Sequence, residues 1–178
     1  MNRSDADGRS LPMSPVTEQW ADVLTTHFAL GEERPAVRAA AVYSAESGFF
    51  AVAGREGENG RPHFDPAGGT GAQPGSDAFD PSRLDALWTV GEENASPPLL
   101  RLGEVVWRRE SLEQVTDAVT GTELDLVLLR EGDRSMWVVR TRQGICIFAL
   151  VDGANEGHVA EARSFALDFD SFLVGQGY

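Results

Sequence analysis

The sequence predicts an α+β fold, in which a single antiparallel sheet of six or seven strands carries the first and last helices on one face. Two observations support this prediction. Apolar residues recur at helical spacing near both ends of the chain. Between them lie short apolar runs separated by tight turns, the pattern of an antiparallel meander. Each helix must bury an apolar stripe, so aromatic residues from the two chain ends would meet on the shared sheet face.

The chain begins with a polar segment, followed by a helix. Residues 1–13 show no apolar period and are predicted to be a disordered arm, and residues 14–178 to be a single domain. Ser14 is a candidate N-cap, Pro15 suits the first helical turn, and Gly31 suits the C-terminal cap. The apolar face of this helix would consist of Val16, Trp20, Val23, Leu24 and His27.

The middle of the chain is predicted to consist of strands, short helices and one long insertion. The strings VRAAAVYS and GFFAVAG predict a hairpin. Residues 54–79 contain seven glycines and three prolines and are predicted to be a mobile insertion. Short helices are predicted at DPSRLDALWTVG and over 111–119, and two strands at PPLLRLGEVVWRRES. Three further strands are predicted at LDLVLLR, RSMWVVRT and ICIFALVD.

The last predicted helix combines an apolar stripe with additional aromatic residues. The stripe consists of Val159, Ala162, Ala166, Phe169 and Leu173. Phe172 and Tyr178 are not needed for this stripe, although chain ends are usually polar. Contiguous exposed apolar side chains are typical of partner-binding surfaces. We therefore expect these two aromatic residues to contribute to a binding surface.

The charge composition argues against several kinds of partner. The net charge is −13 and the isoelectric point about 4.5. Binding to phosphate groups requires concentrated positive charge, so we expect no nucleic acid partner and weak or no binding to phosphoinositides. All fifteen basic residues are arginine, which excludes lysine-based covalent catalysis. The single cysteine, Cys146, excludes a disulfide framework and favours a reducing, cytoplasmic compartment.

The sequence lacks the common catalytic and metal-binding patterns. The three histidines, His27, His63 and His158, do not share metal-ligand spacing with a cysteine or a carboxylate. GxSxG and HExxH motifs are absent, and the GGTG of the insertion lacks the GK[ST] of a P-loop. We therefore predict a protein that is not an enzyme and has no cofactor and no metal ion.

Four segments of the sequence, the last of them given as two strings, share their order and spacing with a known family. They are QWADVL, AAAVYSAESGFFAVAG, LLRLGEVVWRRESL, and the C-terminal pair GICIFALVDG and GHVAEARSFALDFDSFLVGQGY. Together they resemble the first helix, the first hairpin, the LGG-containing hairpin, and the last strand and helix of profilins. Profilins are small proteins that bind actin monomers and regulate actin polymerisation. The resemblance covers residues 17–53 and 80–178.

This resemblance implies two binding surfaces. Profilins bind proline-rich segments between their terminal helices, and the matching positions here are Trp20, Phe50, Phe172, Leu173 and Tyr178. They bind actin monomers on another surface, and the matching positions are Trp107, Arg109, His158 and Arg163. The implied partners are monomeric actin and proline-rich proteins such as formins. The implied location is the cytoplasm, in association with the cytoskeleton.

The sequence also departs from the profilin pattern. Val23 stands where many profilins have tyrosine, and Phe50 where most have tryptophan, so two donors to proline carbonyl groups are lost. LGE replaces LGG, and the segments at 54–79 and 111–119 exceed the minimal pattern, which suggests a divergent, protist-like profilin. Two alternatives stay open. A longin- or roadblock-like scaffold without actin binding would share the sheet and the terminal helices, and a bacterial-type small-ligand or immunity module would share the same coarse pattern.

Overall fold

The fold is a single antiparallel sheet with helices on both faces. The computed structural model describes residues 15–54, 81–91, 95–102, 105–153 and 155–178. Within these ranges the helices are α1 (Pro15–His27), α2 (Pro81–Ala86) and α3 (Glu156–Gly175). The strands are β1 (Ala39–Ser44), β2 (Gly48–Gly54), β3 (Leu99–Leu102), β4 (Val105–Thr116), β5 (Glu123–Glu131), β6 (Arg134–Arg140) and β7 (Cys146–Val151). The predicted arm at 1–13, and all of the predicted insertion except Gly54, lie outside the described residues.

The seven strands found in the described ranges form one sheet in the order β2-β1-β7-β6-β5-β4-β3. Every neighbouring pair is antiparallel. The strands β5 to β7 form the predicted meander, and β3 and β4 continue it. The first strand, β1, pairs with β7, the last strand in the sequence. This pairing brings the two chain ends together, because α1 directly precedes β1 and α3 directly follows β7. The prediction of a six- or seven-stranded antiparallel sheet is confirmed.

The two sheet faces carry separate hydrophobic cores. On one face, here called the helix face, Leu24 and Phe28 of the α1 region pack with Phe169 of α3 against strand residues. On the opposite face, the α2 face, Leu84 and Leu87 pack with Trp107. Alternation of side chains along each strand supplies both cores, and the interior strand β7 is buried on both sides. The prediction that both terminal helices share one face is confirmed.

Two local predictions are wrong. The segment 111–119 is not a helix, because residues through Thr116 continue β4 and pair with β5. Leu112 packs on the α2 face and Val115 on the helix face, so tertiary packing decides the conformation of this segment. Gly31 does not terminate the first helix; α1 ends at His27, and Ala29 takes the left-handed conformation, with φ of 51°.

Candidate ligand-binding surface at the chain ends

Three aromatic side chains from distant parts of the sequence meet at the surface beside α1. Trp20 of α1 lies with its ring centroid 5.7 Å from that of Phe50 on β2 and 5.5 Å from that of Tyr178. Both contacts are edge-to-face, a favourable geometry for aromatic rings. Trp20 and Phe50 are partly exposed, and Tyr178 is 43% exposed. We call these three residues the aromatic cluster.

The end of α3 holds Tyr178 in place through a Schellman motif. The Gly177 N–H donates to the Val174 carbonyl, and the Tyr178 N–H donates to the Leu173 carbonyl, both at 3.0 Å. Gly177 has φ of 91°, a conformation that is strained for any residue with a Cβ. The GQGY tail is therefore an ordered cap that turns the tyrosine ring back toward α1.

A second group of rings lies under and beside the cluster. Phe172 contacts His27 at 4.3 Å and Phe169 at 5.6 Å between ring centroids. Phe172 is partly buried against the helix-face core, so it is not surplus to packing as the sequence suggested. Leu173 is only 1% exposed and belongs to the helix-face core, and its predicted contact with a proline-rich ligand stays a prediction.

A small cavity borders the aromatic cluster at the C-terminal end of α3. It has a volume of about 200 Å³ and shares Tyr178 with the cluster. The cavity is lined by Thr122, Leu124, Thr141, Arg142, Gln143, Asp170, Val174 and Tyr178. It therefore lies between α3 and the turns that connect β4 to β5 and β6 to β7.

Asp170 is the unusual residue of this cavity. It is 0% exposed, and among the described residues neither of its carboxylate oxygens has a hydrogen-bond partner. Burial, together with the nearby charge of Asp117, raises the pKa of Asp170 from 3.8 to about 6. A carboxylate that is buried without a partner is unfavourable when ionised, so this group would be stabilised by a proton or by a cation.

The neighbouring Asp117 has a contrasting environment. Burial opposes its ionisation, but hydrogen bonds from the Ser171 hydroxyl and from the N–H groups of Val119 and Thr120 lower its pKa below the ordinary 3.8. The Ser171 hydroxyl donates to Asp117 at 2.7 Å. Asp117 is therefore a fixed negative charge that ties α3 to the β4–β5 turn.

The four residues that resembled an actin-binding set do not form one surface. Trp107 and Arg109 lie on the α2 face, whereas His158 and Arg163 lie on α3, across the sheet. Trp107 is only 3% exposed. Arg109 donates at 2.7 Å to the carbonyl groups of both Leu87 and Thr89, just after α2. Trp107 and Arg109 therefore pack α2 onto the sheet, and their contact with a partner stays a prediction.

His158 and Arg163 lie near the N-terminal end of α3. That end is capped by Asn155, whose side-chain oxygen accepts from the N–H groups of Gly157 and His158. Arg163 donates to Glu113 of β4 at 2.9 Å and lies over the Trp137 ring. His158 is partly exposed, five residues before Arg163 on the same helix.

The described residues offer little for metal binding or covalent catalysis. They contain no group of three or more histidine, cysteine, aspartate or glutamate side chains that could hold a metal ion. Burial raises the pKa of the Cys146 thiol to about 12, so it is not a reactive thiolate at neutral pH. None of the helices in this part of the chain is long and apolar enough to cross a membrane.

Two residues of the surface were missed in the sequence. Asp170 follows Ala166 by four residues and precedes Leu173 by three, which places its carboxylate on the apolar face of α3. That spacing was a usable signal for a buried charge. The sequence placed His27 on the apolar face of the first helix, but no local pattern showed that its ring would contact Phe172 near the other end of the chain.

Comparison with known proteins gives a limited result. No family model matches the chain, and no curated protein matches it. Among solved structures, Acanthamoeba castellanii profilin IA matches with a TM-score of 0.49 and 17% identity. The match covers 89% of this chain and 99% of that chain. A likeness at this level assigns neither a family nor a function.

Proposed function

We propose that this protein binds proline-rich segments of partner proteins at the aromatic cluster. The observation that carries the proposal is the placement of Trp20 between Phe50 and Tyr178, with all three rings at or near the surface. A polyproline II segment is already extended when free, loses little entropy on binding, and packs its rings between aromatic planes. The profilin-like strings of the sequence, which include Trp20 and Tyr178, support the same assignment.

The affinity should be modest. Phenylalanine at position 50 cannot donate a hydrogen bond, so the indole N–H of Trp20 and the hydroxyl of Tyr178 are the donors that the cluster offers to proline carbonyl groups. Ring packing then provides most of the binding energy. We expect dissociation constants on the order of 10–1000 µM for octaproline, which corresponds to about −4 to −7 kcal/mol.

The test is a calorimetric titration of the full chain with octaproline. Trp20→Ala and Tyr178→Ala should each weaken binding by about 2 kcal/mol, or roughly thirtyfold, because each removes an aromatic anchor. Trp88→Phe is the matched control, since Trp88 packs on the α2 face against Arg140, away from the cluster. Absence of saturable binding to the wild-type chain at millimolar octaproline would refute the proposal, as would equal binding by both anchor variants in folded form.

Binding of monomeric actin is the second part of the proposal, with regulation of polymerisation by steric occlusion of the monomer. It rests on the profilin-like strings and on the surface of α3, on which His158 and Arg163 are partly exposed and Arg163 pairs with Glu113 of β4. Arginine is enriched among residues that dominate interface energies. Trp107 and Arg109 are not part of this surface.

The test of actin binding is sequestration of monomers in a polymerisation assay. The double variant His158→Ala and Arg163→Ala should lose about 1–4 kcal/mol of affinity. Arg34→Ala is a control, because Arg34 is exposed in the segment between α1 and β1. If the wild-type protein leaves spontaneous actin polymerisation unchanged, actin binding is refuted, and a scaffold without actin binding describes the protein better. The octaproline titration tests the binding of proline-rich segments independently of this result.

A further inference from the structure

The cavity beside the aromatic cluster combines an unpartnered carboxylate with apolar walls. Asp170 is fully buried, and both of its oxygens lack a hydrogen-bond partner among the described residues. Leu124 and Val174 line the same cavity, together with Tyr178. At about 200 Å³ the space is smaller than the roughly 300–1,000 Å³ of pockets for drug-sized ligands. It suits a single side chain.

A cationic side chain fits this arrangement better than a metal ion does. Magnesium and calcium ions bind to several oxygen ligands, carboxylates above all, and the described residues contain no group of three or more histidine, cysteine, aspartate or glutamate side chains that could hold a metal ion. Lysine and arginine instead bury an apolar stem and direct a charged head to a polar partner. The walls at Leu124 and Val174 match the stem, and the Asp170 carboxylate matches the head.

The position of the cavity links it to the proline-rich ligand. Tyr178 lines the cavity and also contacts Trp20 in the aromatic cluster. A peptide whose prolines pack on Tyr178 can therefore extend toward the cavity that Tyr178 also lines. We propose that the cavity binds the guanidinium or ammonium group of a basic residue that flanks the proline run, which makes proline-rich segments with an adjacent arginine or lysine the preferred partners. This inference rests on the proposed function.

Two other charged groups bear on the interaction. Asp117, on the β4–β5 turn, adds a second negative charge that favours a cation. Arg142, on the β6–β7 turn, also lines the cavity and would oppose a cation, but it is exposed to solvent, which screens its charge. Because Asp170 is buried, its interaction with a bound cation is screened less than that of Arg142.

The experiment compares peptides that differ only in charge. The full chain is titrated with octaproline, with octaproline carrying arginine at either end, and with the same two peptides carrying citrulline, the neutral isostere of arginine. At pH 7.5 at least one arginine peptide should bind about tenfold more tightly than its citrulline counterpart, because a charge-assisted hydrogen bond replaces a weaker one. At pH 5 this preference should shrink, since Asp170 has a pKa of about 6 in the free protein and becomes neutral.

Two matched variants test whether Asp170 causes the preference for arginine peptides. Asp170→Asn should abolish the preference for arginine over citrulline. Asp168→Asn removes the same charge from an exposed position of α3 and should retain the preference. If octaproline binds but neither arginine peptide exceeds its citrulline counterpart, or if Asp170→Asn keeps the preference, the inference is refuted and the proposed function stands. If no peptide binds, the proposed function is refuted, and the inference falls with it.

Discussion

The two ends of α3 differ in how their polar groups are satisfied. At the N-terminal end, Asn155 caps the helix, Glu156 pairs with Arg130 at 3.1 Å, and Arg163 pairs with Glu113 at 2.9 Å. At the C-terminal end, the Asp170 carboxylate has no partner among the described residues, and Tyr178 is exposed. The first end is stabilised by contacts within the chain, whereas the second retains groups that a ligand could satisfy.

This contrast shows why charge alone is a poor guide to function in this protein. The arginines that the sequence singled out near β4 have partners: Arg109 binds carbonyl groups near α2, and Arg163 binds Glu113. The one carboxylate that is buried without a partner, within the described part of the chain, lies next to the aromatic cluster instead. Unsatisfied groups that converge with exposed rings point to a ligand more strongly than paired charges do.

The largest expected effect concerns the packing under the C-terminal end. Phe169→Ala should lower the free energy of unfolding by about 3–5 kcal/mol, because Phe169 is fully buried and contacts rings of both α1 and α3. Urea unfolding of the wild type and the variant measures this loss in the free energy of unfolding. Tyr178→Ala, at the exposed surface, should cost less than about 1 kcal/mol. Similar losses for the two variants would mean that Tyr178 is a core residue rather than part of a ligand surface.

The next effect is the pH dependence caused by Asp170. Its pKa is raised to about 6 in the folded state, so its protonated form is favoured by folding. The contribution of protonated Asp170 to the free energy of unfolding is fully present below about pH 4 and is lost as pH rises through about 6. Asp170→Asn should therefore stabilise the protein at pH 8 by roughly 1–2 kcal/mol, allowing for screening by solvent at the cavity, and have little effect at pH 4.

Thermal unfolding of the wild type and of Asp170→Asn across this pH range measures that difference. Asp117 is the internal contrast, since its lowered pKa gives stability that is present above about pH 4 and lost on acidification. A stability difference between the wild type and Asp170→Asn that does not change between pH 4 and pH 8 would show that Asp170 has an internal partner and that the two ends of α3 are alike.

A smaller effect tests how the tail positions Tyr178. Gly177→Ala should destabilise the protein by about 1 kcal/mol, because φ of 91° is strained for alanine, although no neighbouring atom lies within 4 Å of the new Cβ. Gly175→Ala is the matched control: it also has open space, lies in α3 and should stabilise by roughly 0.5–1 kcal/mol. Opposite signs in thermal unfolding support the Schellman cap, and equal signs would contradict it.

The smallest effect is expected at the N-terminal end of α3. A double-mutant cycle on Arg163→Ala and Glu113→Ala should give a coupling energy of about 0.2–1 kcal/mol, because both side chains are partly exposed. Chemical unfolding of the four proteins provides the cycle. A coupling above about 2 kcal/mol would show that this end depends on its ion pair as strongly as the other end depends on aromatic packing.

The fold was largely predictable from the sequence, because residues on the buried face of a helix or strand recur at a fixed spacing along the chain. Alternation and short apolar runs identified the strands, and the 3,4,3,4 stripe from Val159 to Leu173 identified α3. The segment after Ser111 was misassigned because Leu112 and Val115 have helical spacing but pack on opposite faces of the sheet. Pairing with a neighbouring strand, which no local pattern reports, decided its structure.

The candidate surface was predictable only in part. Trp20 and Tyr178 were identified by their position, but the sequence could not show that α2 covers Trp107, since alternation does not reveal which face of a strand a distant helix will occupy. It also could not show that Asp170 lacks a partner, because that depends on side chains from two turns remote in the sequence.

The most direct test of the central proposal is to follow the four tryptophan indole N–H signals by NMR during a titration with octaproline. Trp20 should shift saturably, because it lies in the aromatic cluster. Trp88 and Trp107, on the α2 face, and Trp137, whose indole donates to the Val159 carbonyl in the core, should stay unchanged. A stationary Trp20 signal with shifts at Trp88 or Trp107 would place the ligand on the other face of the sheet and contradict the proposed site.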